Sequence, residues 1–554
     1  MIGVIPKKHE KEIVEEFFQL FKTPWEFYDE DHSYDVVIVT RGVVCKANAR
    51  LLLIYGSERN QFDCNENIAL SPTSGKVFVQ CGNVEIPIYG NISALEGVGN
   101  PTIRVKGGST IAGLEVERSR ETIFRIGYDL FEEVRFLLSE GQPPENAHIP
   151  TLEHHIAMLR GWIVNMRIPL IEIPPAPAGY NFIACLTHDV DFVRIRDHKF
   201  DHTMWGFVYR ATIGSFLNVL KNRITWSRFF QNWKAALSLP FIYLGICRDI
   251  WLQFDKYLEI EKDACSTFFI IPFKKKAGNK LSGRIAKRRA SKYDITSIQD
   301  IVKNLVKQGH EVGVHGIDAW HNIDLGRKEL KRIYQVTGQS DIGIRIHWLC
   351  FNDQSCRILE KAGFKYDSTF GYNDTVGYRG GTAQAFRPLE VRHLLELPLH
   401  IQDTALFSSG YMNLTDIQAW SLCSKLIENA LMYGGVLTIL WHQRSIAPER
   451  LYGDFYIDLL RYLKENNVWF ATGGQAVQWF KKRRDFNFNA IQYVDDNTVT
   501  IKYSDSRTGI IPPLMLRIHK RKLPNNDLSH AIHSGTICID VPLTGEIERL
   551  AFSG

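Results

Sequence analysis

Residues 181–191, NFIACLTHDVD, decide the fold that the sequence predicts. Residues 182–185 form a short apolar run followed by polar residues, a pattern typical of a buried strand. Asp189 and Asp191 are two residues apart, so on an extended strand their side chains point to the same side. Two neighbouring carboxylates repel one another unless a cation or a proton lies between them. The stretch therefore indicates either a functional site at a strand end or a turn capped by aspartates.

Length and composition indicate a globular protein of more than one domain. The 554 residues exceed the usual size of a single domain. A hydrophobic content of 45% and a charged content of 23% are ordinary for soluble globular proteins. The net charge of +5 is too small to indicate nucleic-acid binding by itself. We therefore expect two or three domains and no nucleic-acid partner.

The cysteines and the apolar runs predict where the protein resides. The ten cysteines are scattered, and no two form a CxxC pair that would indicate a cysteine zinc site. Residues 1–21 are amphipathic and charged, unlike a secretory signal, and no apolar run is long enough to span a bilayer. These features predict a cytoplasmic protein, with peripheral contact at the inner membrane face as the alternative.

Between residues 181 and 484 the chain alternates predicted strands with predicted helices. The strands include residues 267–271, 312–314 and 436–440, and amphipathic segments of helical length lie between them. This alternation is typical of parallel βα units, and seven or eight such units predict a complete or distorted (β/α) barrel. The predicted fold class is therefore α/β.

Other patterns flank the predicted barrel. Residues 1–145 mix strands with helices, one of them predicted over 124–139, and contain no catalytic constellation, so we expect an α/β accessory domain. Residues 146–180 are predicted to connect it to the barrel of residues 181–484. Residues 485–554 contain strand patterns separated by polar turns, which predicts a small all-β domain.

Residues 192–262 interrupt the barrel pattern with an aromatic and basic insertion. In its segment WSRFFQNWKAAL, apolar residues recur at helical spacing and form one stripe: Trp226, Phe229, Phe230, Trp233, Ala236 and Leu237. We expect such a helix to pack on the core. The alternative is an interfacial helix within residues 205–240 that rests on an anionic membrane surface.

Four polar clusters follow predicted strands of the barrel. They are THDVD at 187–191, HGIDAWH at 315–321, RIHW at 345–348 and WHQR at 441–444. Because barrel active sites lie at the carboxyl ends of the strands, we expect the clusters to converge on one rim. Asp191, His315 and His321 would then form a set of three ligands with an open position, which fits catalytic zinc or a similar divalent ion.

The remaining residues of these clusters predict metal-assisted hydrolysis of an amide or an ester. Asp189 could accept a proton from an activated water, and Arg345 could keep Asp189 ionised and oriented. His442, on the far side, could protonate a leaving amine. The predicted substrate contacts are Trp348, Trp441 and Asp403.

The order of the motifs resembles the polysaccharide deacetylase superfamily, which includes carbohydrate esterase family four. The resemblance rests on TxDxD at 187–191, GHEVGVH at 309–315, Arg345 after a strand, and LWH at 440–442. It implies a distorted (β/α) barrel that removes acetyl groups from sugars with a divalent metal ion. It also implies that Asp189 is the base and that Asp191 and His315 are metal ligands. It implies nothing about the flanking domains.

Two positions depart from the family pattern. Val190 separates two aspartates that are commonly adjacent. The family's second histidine ligand lies four residues after the first, but Ala319 occupies that position here, and His321 lies six residues after His315. Six residues do not place two side chains on the same face of a regular helix. The chain must therefore turn for His321 to reach the metal, or Asp318 ligates instead.

The sequence thus predicts a metal-dependent hydrolase that removes an N-acyl group, most simply N-acetyl, from a sugar in surface-glycan or exopolysaccharide biosynthesis. A cytoplasmic location would suit a nucleotide-linked or lipid-linked sugar as the substrate. The alternative is a non-catalytic glycan-binding or assembly protein on a deacetylase scaffold. The altered histidine spacing and the two unassigned flanking domains motivate this alternative.

Overall fold

The computed structural model describes all residues except 43–48, 74–76, 281, 451, 489–490, 496–497, 502–510, 522–535, 545–547 and 552–554. Its chain forms two compact units. The first comprises Met1–Gly179, Tyr378–Leu389 and Trp479–Gly554, and the second comprises Tyr180–Gly377 and Glu390–Gln478. The segment Tyr378–Leu389 belongs to the first unit and interrupts the second unit along the chain. The composition of the sequence there does not predict this interruption. The predicted domain limits at 145, 180 and 484 stay predictions; the second unit begins at Tyr180 and its last segment ends at Gln478.

The second unit is built on one parallel sheet. We number its strands β1 to β9 in chain order: Ile183–Val190, Ser266–Ile270, Glu311–Gly316, Ile344–Ile346, Tyr366–Asp367, Leu395–Glu396, Ile401–Gln402, Val436–Leu440 and Trp469–Phe470. They pair in parallel in the order β6-β5-β4-β3-β2-β1-β8-β7, with β9 also paired to β1. In the described part of the chain no ladder joins β6 to β7, so the barrel is distorted. The predicted fold class is confirmed.

The central strands are buried along their full length. All eight residues of β1, all five of β2 and all six of β3 are buried. Strands of a parallel sheet are covered on both faces, which explains why no residue of these strands is exposed. A close approach fixes the start of β4, because a Cβ at Gly343 would lie 2.1 Å from the ring of Tyr366.

Helices alternate with these strands, as predicted. They span Phe254–Ile260, at the end of the insertion, and then Gly283–Arg289, Gln299–Lys307, Ile323–Thr337, Ser355–Ala362, Asp403–Phe407, Asp416–Tyr433, Gly453–Glu465 and Gly473–Asp485. The residues Gly338 and Gly363, which the sequence predicts as helix ends, have φ angles of 70° and 105°. Glycine adopts this left-handed conformation without the steric cost of a Cβ, so both helices end where glycine occurs.

The insertion between β1 and β2 is helical, but its apolar stripe does not pack on the core. Its helices span His202–Tyr209, Ser215–Leu220, Trp226–Leu237 and Leu239–Tyr243, with a π turn at Arg210–Gly214. Four residues of the stripe are 43–67% exposed: Trp226, Phe230, Trp233 and Leu237. The third of these helices buries one member of the stripe, Phe229, together with Asn232 and Ala235, which lie outside it. The expectation of core packing is therefore wrong for most of the stripe, because the helix packs through a neighbouring, narrower face. Among the described residues, no helix combines the length and the apolar character needed to cross a bilayer.

The first unit contains a nine-stranded sheet. In sheet order the strands are Trp25–Phe27, Ile2–Ile5, Val36–Val39, Leu51–Tyr55, Thr122–Ile126, Ile111–Glu117, Asn100–Val105, Val77–Cys81 and Val84–Ile88. The first five are parallel and the others antiparallel. A two-stranded sheet joins Ala69–Thr73 to Ile92–Glu96. The helices are Lys11–Leu20, Gln61–Asn65, Leu130–Ser139 and Thr151–Asn165.

The predicted helix over residues 124–139 is wrong in its first part. Thr122–Ile126 is a buried strand that pairs in parallel with Leu51–Tyr55. The helix begins only at Leu130, after Asp129, whose side chain accepts hydrogen bonds from two backbone N–H groups of the first turn. A short apolar run has no periodicity that separates a buried strand from a helix, whereas an N-cap aspartate marks where a helix starts.

Strands after residue 485 are present as predicted. They span Ile491–Asp495, Thr498–Ile501, Leu514–Arg521, Thr536–Leu543 and Glu548–Ala551. Leu514–Arg521 also pairs with Leu170–Glu172, in the segment predicted to be a connector. Leu514–Arg521 and Thr536–Leu543 therefore share a sheet with an earlier part of the first unit, and the other three strands form a sheet of their own.

Candidate active site

The four polar clusters converge at the carboxyl ends of neighbouring barrel strands. Asp189 lies next to the last residue of β1, His315 lies near the end of β3, Arg345 lies in β4, and His442 follows β8. All these strands run in parallel, so their carboxyl ends meet at one edge of the sheet. The side chains of these four residues and of Asp191 consequently lie around one point.

Arg345 fixes Asp189. The fully buried guanidinium donates from Nη1 to Asp189 Oδ1 at 3.1 Å and to Thr187 Oγ1 at 2.8 Å. Its other nitrogens donate to the carbonyl and hydroxyl oxygens of Ser368 at 2.9 and 2.8 Å. A buried carboxylate is stable in its charged form only with a paired cation or several hydrogen bonds. Arg345 therefore pairs the Asp189 carboxylate with a cation and holds it in one orientation.

Asp191 faces three histidines. Its Oδ1 lies 3.2 Å from His315 Nε2 and 3.3 Å from His347 Nδ1, and its Oδ2 lies 3.7 Å from His442 Nε2. Although burial opposes the charged form, the three imidazoles hold the pKa of Asp191 well below its usual value. One ligand atom each from Asp191, His315 and His347 lies within 4.8 Å of the other two.

The chemistry of these three ligands fits a divalent ion. His315 Nδ1 lies 3.0 Å from the carbonyl oxygen of Arg345, which can only accept, so Nδ1 donates there and Nε2 is the ring nitrogen that faces Asp191. The buried Nδ1 of His347 has no hydrogen-bond partner. Burial lowers the pKa of His347 well below its usual value, which favours the neutral ring that binds metals. Together these groups suit a shared divalent cation.

The distances between the candidate ligand atoms also fit a bound metal ion. Ligand atoms about 2.0–2.1 Å from a tetrahedral zinc ion lie about 3.3 Å from one another. The two separations from Asp191 Oδ1, to His315 Nε2 and to His347 Nδ1, are 3.2 and 3.3 Å. Asp191, His315 and His347 therefore form a candidate site for zinc or a similar ion.

His321 lies outside this cluster, which corrects the predicted ligand set. Its Nε2 lies 2.8 Å from Oδ1 of Asp318, the other predicted alternative, and Asn322 then caps the helix Ile323–Thr337. The pairing with Asp318 and the start of this helix turn His321 away from Asp191. His347 is the candidate ligand that the sequence did not predict, although it belongs to the third polar cluster. Directly after it, Trp348 has a φ of 66°, a conformation that no sequence pattern in this stretch announces.

His442 is held by Asp403. Its Nδ1 lies 2.6 Å from Asp403 Oδ1, and its backbone N–H donates to the other carboxylate oxygen at 2.8 Å. Burial opposes the charged ring, but the carboxylates of Asp403, Asp191 and Asp189 raise the pKa of His442 to about 9. The buried Asp403 therefore positions His442, whereas the sequence reasoning made it a substrate contact.

The two predicted tryptophan contacts differ in accessibility. Trp441 is fully buried, with ring centroids 6.0 Å from Phe455 and 5.1 Å from Tyr456, so it cannot touch a substrate and that prediction is corrected. Trp348 is 43% exposed and lines a cavity of about 280 Å³ together with Asp189, Asp191, His315 and His442. This cavity places two of the candidate metal ligands, Asp191 and His315, around one space with Asp189 and His442.

His188 packs behind the site. Its Nε2 lies 2.9 Å from Glu261 Oε1 and its Nδ1 lies 2.8 Å from the carbonyl oxygen of Trp441. Both the imidazole and the carboxylate are fully buried, so they connect β1 to the chain after β8 without access to the cavity.

Comparison with known proteins adds a sequence relative. No family model matches the chain. A segment of 94 residues is 31% identical to a peptidoglycan deacetylase of Helicobacter pylori and covers 16% of this chain and 32% of that protein. The chain resembles polysaccharide deacetylases. The resemblance predicted from the motifs is thereby confirmed, although the chain spans only about a third of the deacetylase it matches.

Solved structures of deacetylases are also similar. A putative polysaccharide deacetylase from Mycobacterium smegmatis has a TM-score of 0.34 and 17% identity, covering 56% of this chain and 96% of its own. Agd3, described as a novel carbohydrate deacetylase, has a TM-score of 0.39 and 9% identity, covering 100% of this chain and 98% of its own. At these identities the likeness concerns the fold alone.

The corrected ligand set predicts which histidine holds the metal. We expect His347→Ala to lower zinc affinity by more than about 100-fold, beyond the effect typical of an outer-shell partner. His321→Ala is the matched control and should bind zinc like the unmodified protein. Metal content after dialysis against a zinc buffer measures both, with the unfolding temperature as the test of folding. Zinc loss in His321→Ala together with zinc retention in His347→Ala would contradict the assignment.

Proposed function

We propose that this chain is a metal-dependent hydrolase that removes an N-acyl group from a sugar. The observation that carries the proposal is the pairing of a fixed base with a candidate metal centre. Asp189 Oδ2 lies 3.9 Å from Nε2 of His315, a candidate ligand, while Asp189 Oδ1 is bonded to Arg345. The imidazole of His442 lies beyond Asp191, so a base and an acid flank the same space.

These residues divide the steps of amide hydrolysis. A divalent ion held by Asp191, His315 and His347 would polarise the acyl carbonyl and lower the pKa of a water molecule. Asp189 accepts the proton of the attacking water, and Arg345 keeps its carboxylate in place. Protonated His442 donates to the amide nitrogen as the C–N bond breaks, which releases a carboxylic acid and an amino sugar. Asp403 orients His442 and supports its positive charge.

The proposed substrate and metal rest on the types of ligand atom in the site and on the resemblance to the peptidoglycan deacetylase. Resemblance to deacetylases supports a carbohydrate substrate and acetyl as the acyl group, and the mixed nitrogen and oxygen ligands support zinc. We propose a nucleotide-linked or lipid-linked sugar in surface-glycan biosynthesis and a cytoplasmic site of action. Binding of acylated sugars without release of acid would instead favour the non-catalytic alternative.

We also propose that the helical insertion contacts an anionic membrane surface. Of the 21 large apolar side chains that are exposed among the described residues, 14 lie between residues 200 and 246. Residues 202–248 contain six Lys and Arg and no Asp or Glu. Concentrated exposed apolar surface marks an interaction site, and tryptophan, phenylalanine and leucine combined with basic residues suit the lipid–water interface.

The base assignment predicts a selective loss of turnover. Asp189→Asn should lower the rate of acid release by about 10²–10⁴-fold, because the amide cannot accept the proton, while bound zinc is unchanged. Asp324→Asn, at an exposed position, is the matched control and should keep full activity. Release of acetate from nucleotide-linked and lipid-linked N-acetyl sugars measures the rate. Wild-type turnover in zinc-loaded Asp189→Asn would overturn the role of the base.

The proposed role of protonated His442 as the acid predicts that turnover falls at alkaline pH. Carboxylates stabilise the protonated ring, so the acid is present below a pKa of about 9 and is lost as pH rises through that value. Asp403→Asn removes the first of these carboxylates and should move the alkaline limb of kcat/KM to lower pH. A pH–rate profile for both proteins tests this. An unchanged alkaline limb in Asp403→Asn would show that another group sets it.

The exposed stripe predicts membrane binding. The protein should float with vesicles that contain anionic phosphatidylglycerol and not with purely zwitterionic vesicles, and added salt should weaken binding. The triple variant Trp226→Ser, Phe230→Ser and Trp233→Ser should remain in the soluble fraction. The matched control replaces Ile417 and Met432, two exposed apolar residues outside the insertion, with serine. Equal flotation of the triple variant and the unmodified protein, or no flotation of either, would refute the proposal.

A further inference from the structure

A second cavity lies beside the candidate active site and is rich in arginine. It has a volume of about 300 Å³, and we call it the arginine cavity after five of its lining residues: Arg210, Arg288, Arg289, Arg444 and Arg450. Asp191 is the one acidic residue in its lining, and the carboxylate of Asp191 already faces the histidines of the candidate metal centre. The cavity therefore carries an excess of positive charge.

The protein itself neutralises these arginines only in part, because Glu449 supports the charge of Arg210 and Arg444 and three backbone carbonyls accept from Arg289. Within the described ranges, no ion pair with a carboxylate includes Arg210, Arg444 or Arg450. The Nε atoms of Arg210, Arg289 and Arg450 are buried and lack a hydrogen-bond partner. Buried cations and unsatisfied donors destabilise a fold unless a ligand of opposite charge pairs with them. The cavity therefore has the donors and the charge that an anion requires.

The arginines also repel one another. Burial lowers the pKa of Arg444 well below its usual value, and the charges of Arg450 and Arg210 lower it further. Burial, followed by the charge of Arg450, lowers the pKa of Arg210 to about 10. Arg444 also lies flat against an aromatic side chain, with its guanidinium carbon 3.9 Å from the centroid of the Phe192 ring. Packing thus holds like charges together.

We propose that the arginine cavity binds a phosphoryl group of the substrate, so that the substrate is an acylated sugar phosphate or diphosphate. Guanidinium groups match phosphate oxygens with two parallel hydrogen bonds, which distinguishes them from a simple point charge. The acyl and sugar parts of this inference rest on the proposed function. The phosphoryl part rests on the arginine cavity alone.

The two cavities are joined by shared walls. Asp191, Trp348, Arg444 and Arg450 line both the arginine cavity and the cavity that contains Asp189 and His442. One ligand can therefore place its phosphoryl group among the arginines while its acyl group lies beside Asp189. Binding energy from the phosphoryl group would then position the amide for attack.

Phosphate binding tests the cavity without reference to turnover. Zinc-loaded protein, free of excess metal, is titrated with inorganic phosphate by calorimetry. The double variant Arg210→Gln and Arg450→Gln should bind phosphate at least about tenfold more weakly, because it loses charge-assisted donors. The matched control Arg327→Gln removes an exposed arginine elsewhere in the same unit and should bind phosphate like the unmodified protein.

Several outcomes would overturn the inference. They are the absence of phosphate binding by the unmodified protein, and undiminished binding by a double variant that keeps its zinc and its unfolding temperature. Arg210→Gln alone serves if the double variant does not fold, and it should still weaken binding. Phosphate binding by a protein that releases no acid from any sugar would leave the arginine cavity standing and refute only the proposed hydrolase.

A substrate comparison identifies the source of the phosphoryl group. Acetate release is measured from N-acetylglucosamine, its 1-phosphate, a nucleotide-diphosphate form and a polyprenyl-diphosphate form in anionic vesicles. At least one phosphorylated form should exceed the neutral sugar in kcat/KM by about tenfold or more, and the double variant should lose that preference. The form with the highest kcat/KM identifies the group to which the sugar phosphate is linked. Equal kcat/KM for the neutral sugar and every phosphorylated form would overturn the phosphoryl subsite and leave the hydrolase intact.

Discussion

Two carboxylates at the end of one buried strand can both stay charged only if each faces positive charge. Asp189 meets this condition through Arg345, which lies on β4, three strands away from β1 in the sheet order. Neighbouring strands lie about 4.8 Å apart, so a flat sheet would separate β1 and β4 by about 14 Å, beyond the reach of an arginine. The contact of 3.1 Å exists because the sheet curls and Arg345 crosses its interior over the ring of Phe269. The ion pair and the curvature of the barrel therefore depend on one another.

This constraint explains what the sequence could predict. Asp189, Asp191, His315 and Arg345 lie in or directly after buried strands, and the period of two residues sets which way each side chain points. Their convergence follows once the strands are known to be parallel. Loop residues have no such period. Whether His321 or His347 completes the ligand set depends on the pairing of His321 with Asp318 and on the turn after β4, neither of which leaves a periodic signal.

An apolar pattern shows that residues are covered, but it does not show which kind of element they form or what covers them. These limits explain the two other wrong predictions. The run at Thr122–Ile126 carries no periodicity that separates a strand from the start of a helix, so the N-cap at Asp129 had to decide. The stripe on Trp226–Leu237 is a true helical stripe, but its period does not say whether the core or something outside the protein covers it. Its exposure, together with a segment of 47 residues that has no acidic side chain, favours a lipid surface.

The insertion also connects the two proposed interactions. It follows β1 directly, so it builds a wall at the rim where the carboxyl ends of the strands meet. Within it, Tyr209 and Ile213 are exposed while Arg210, between them, lines the arginine cavity. The π turn Arg210–Gly214 places an extra residue in the helix and rotates the following side chains, which allows one short segment to present apolar groups outward and a guanidinium inward. A segment of this kind would suit a substrate with an apolar carrier and an anionic group, because the membrane would receive the carrier at the surface where the arginine cavity receives the phosphoryl group.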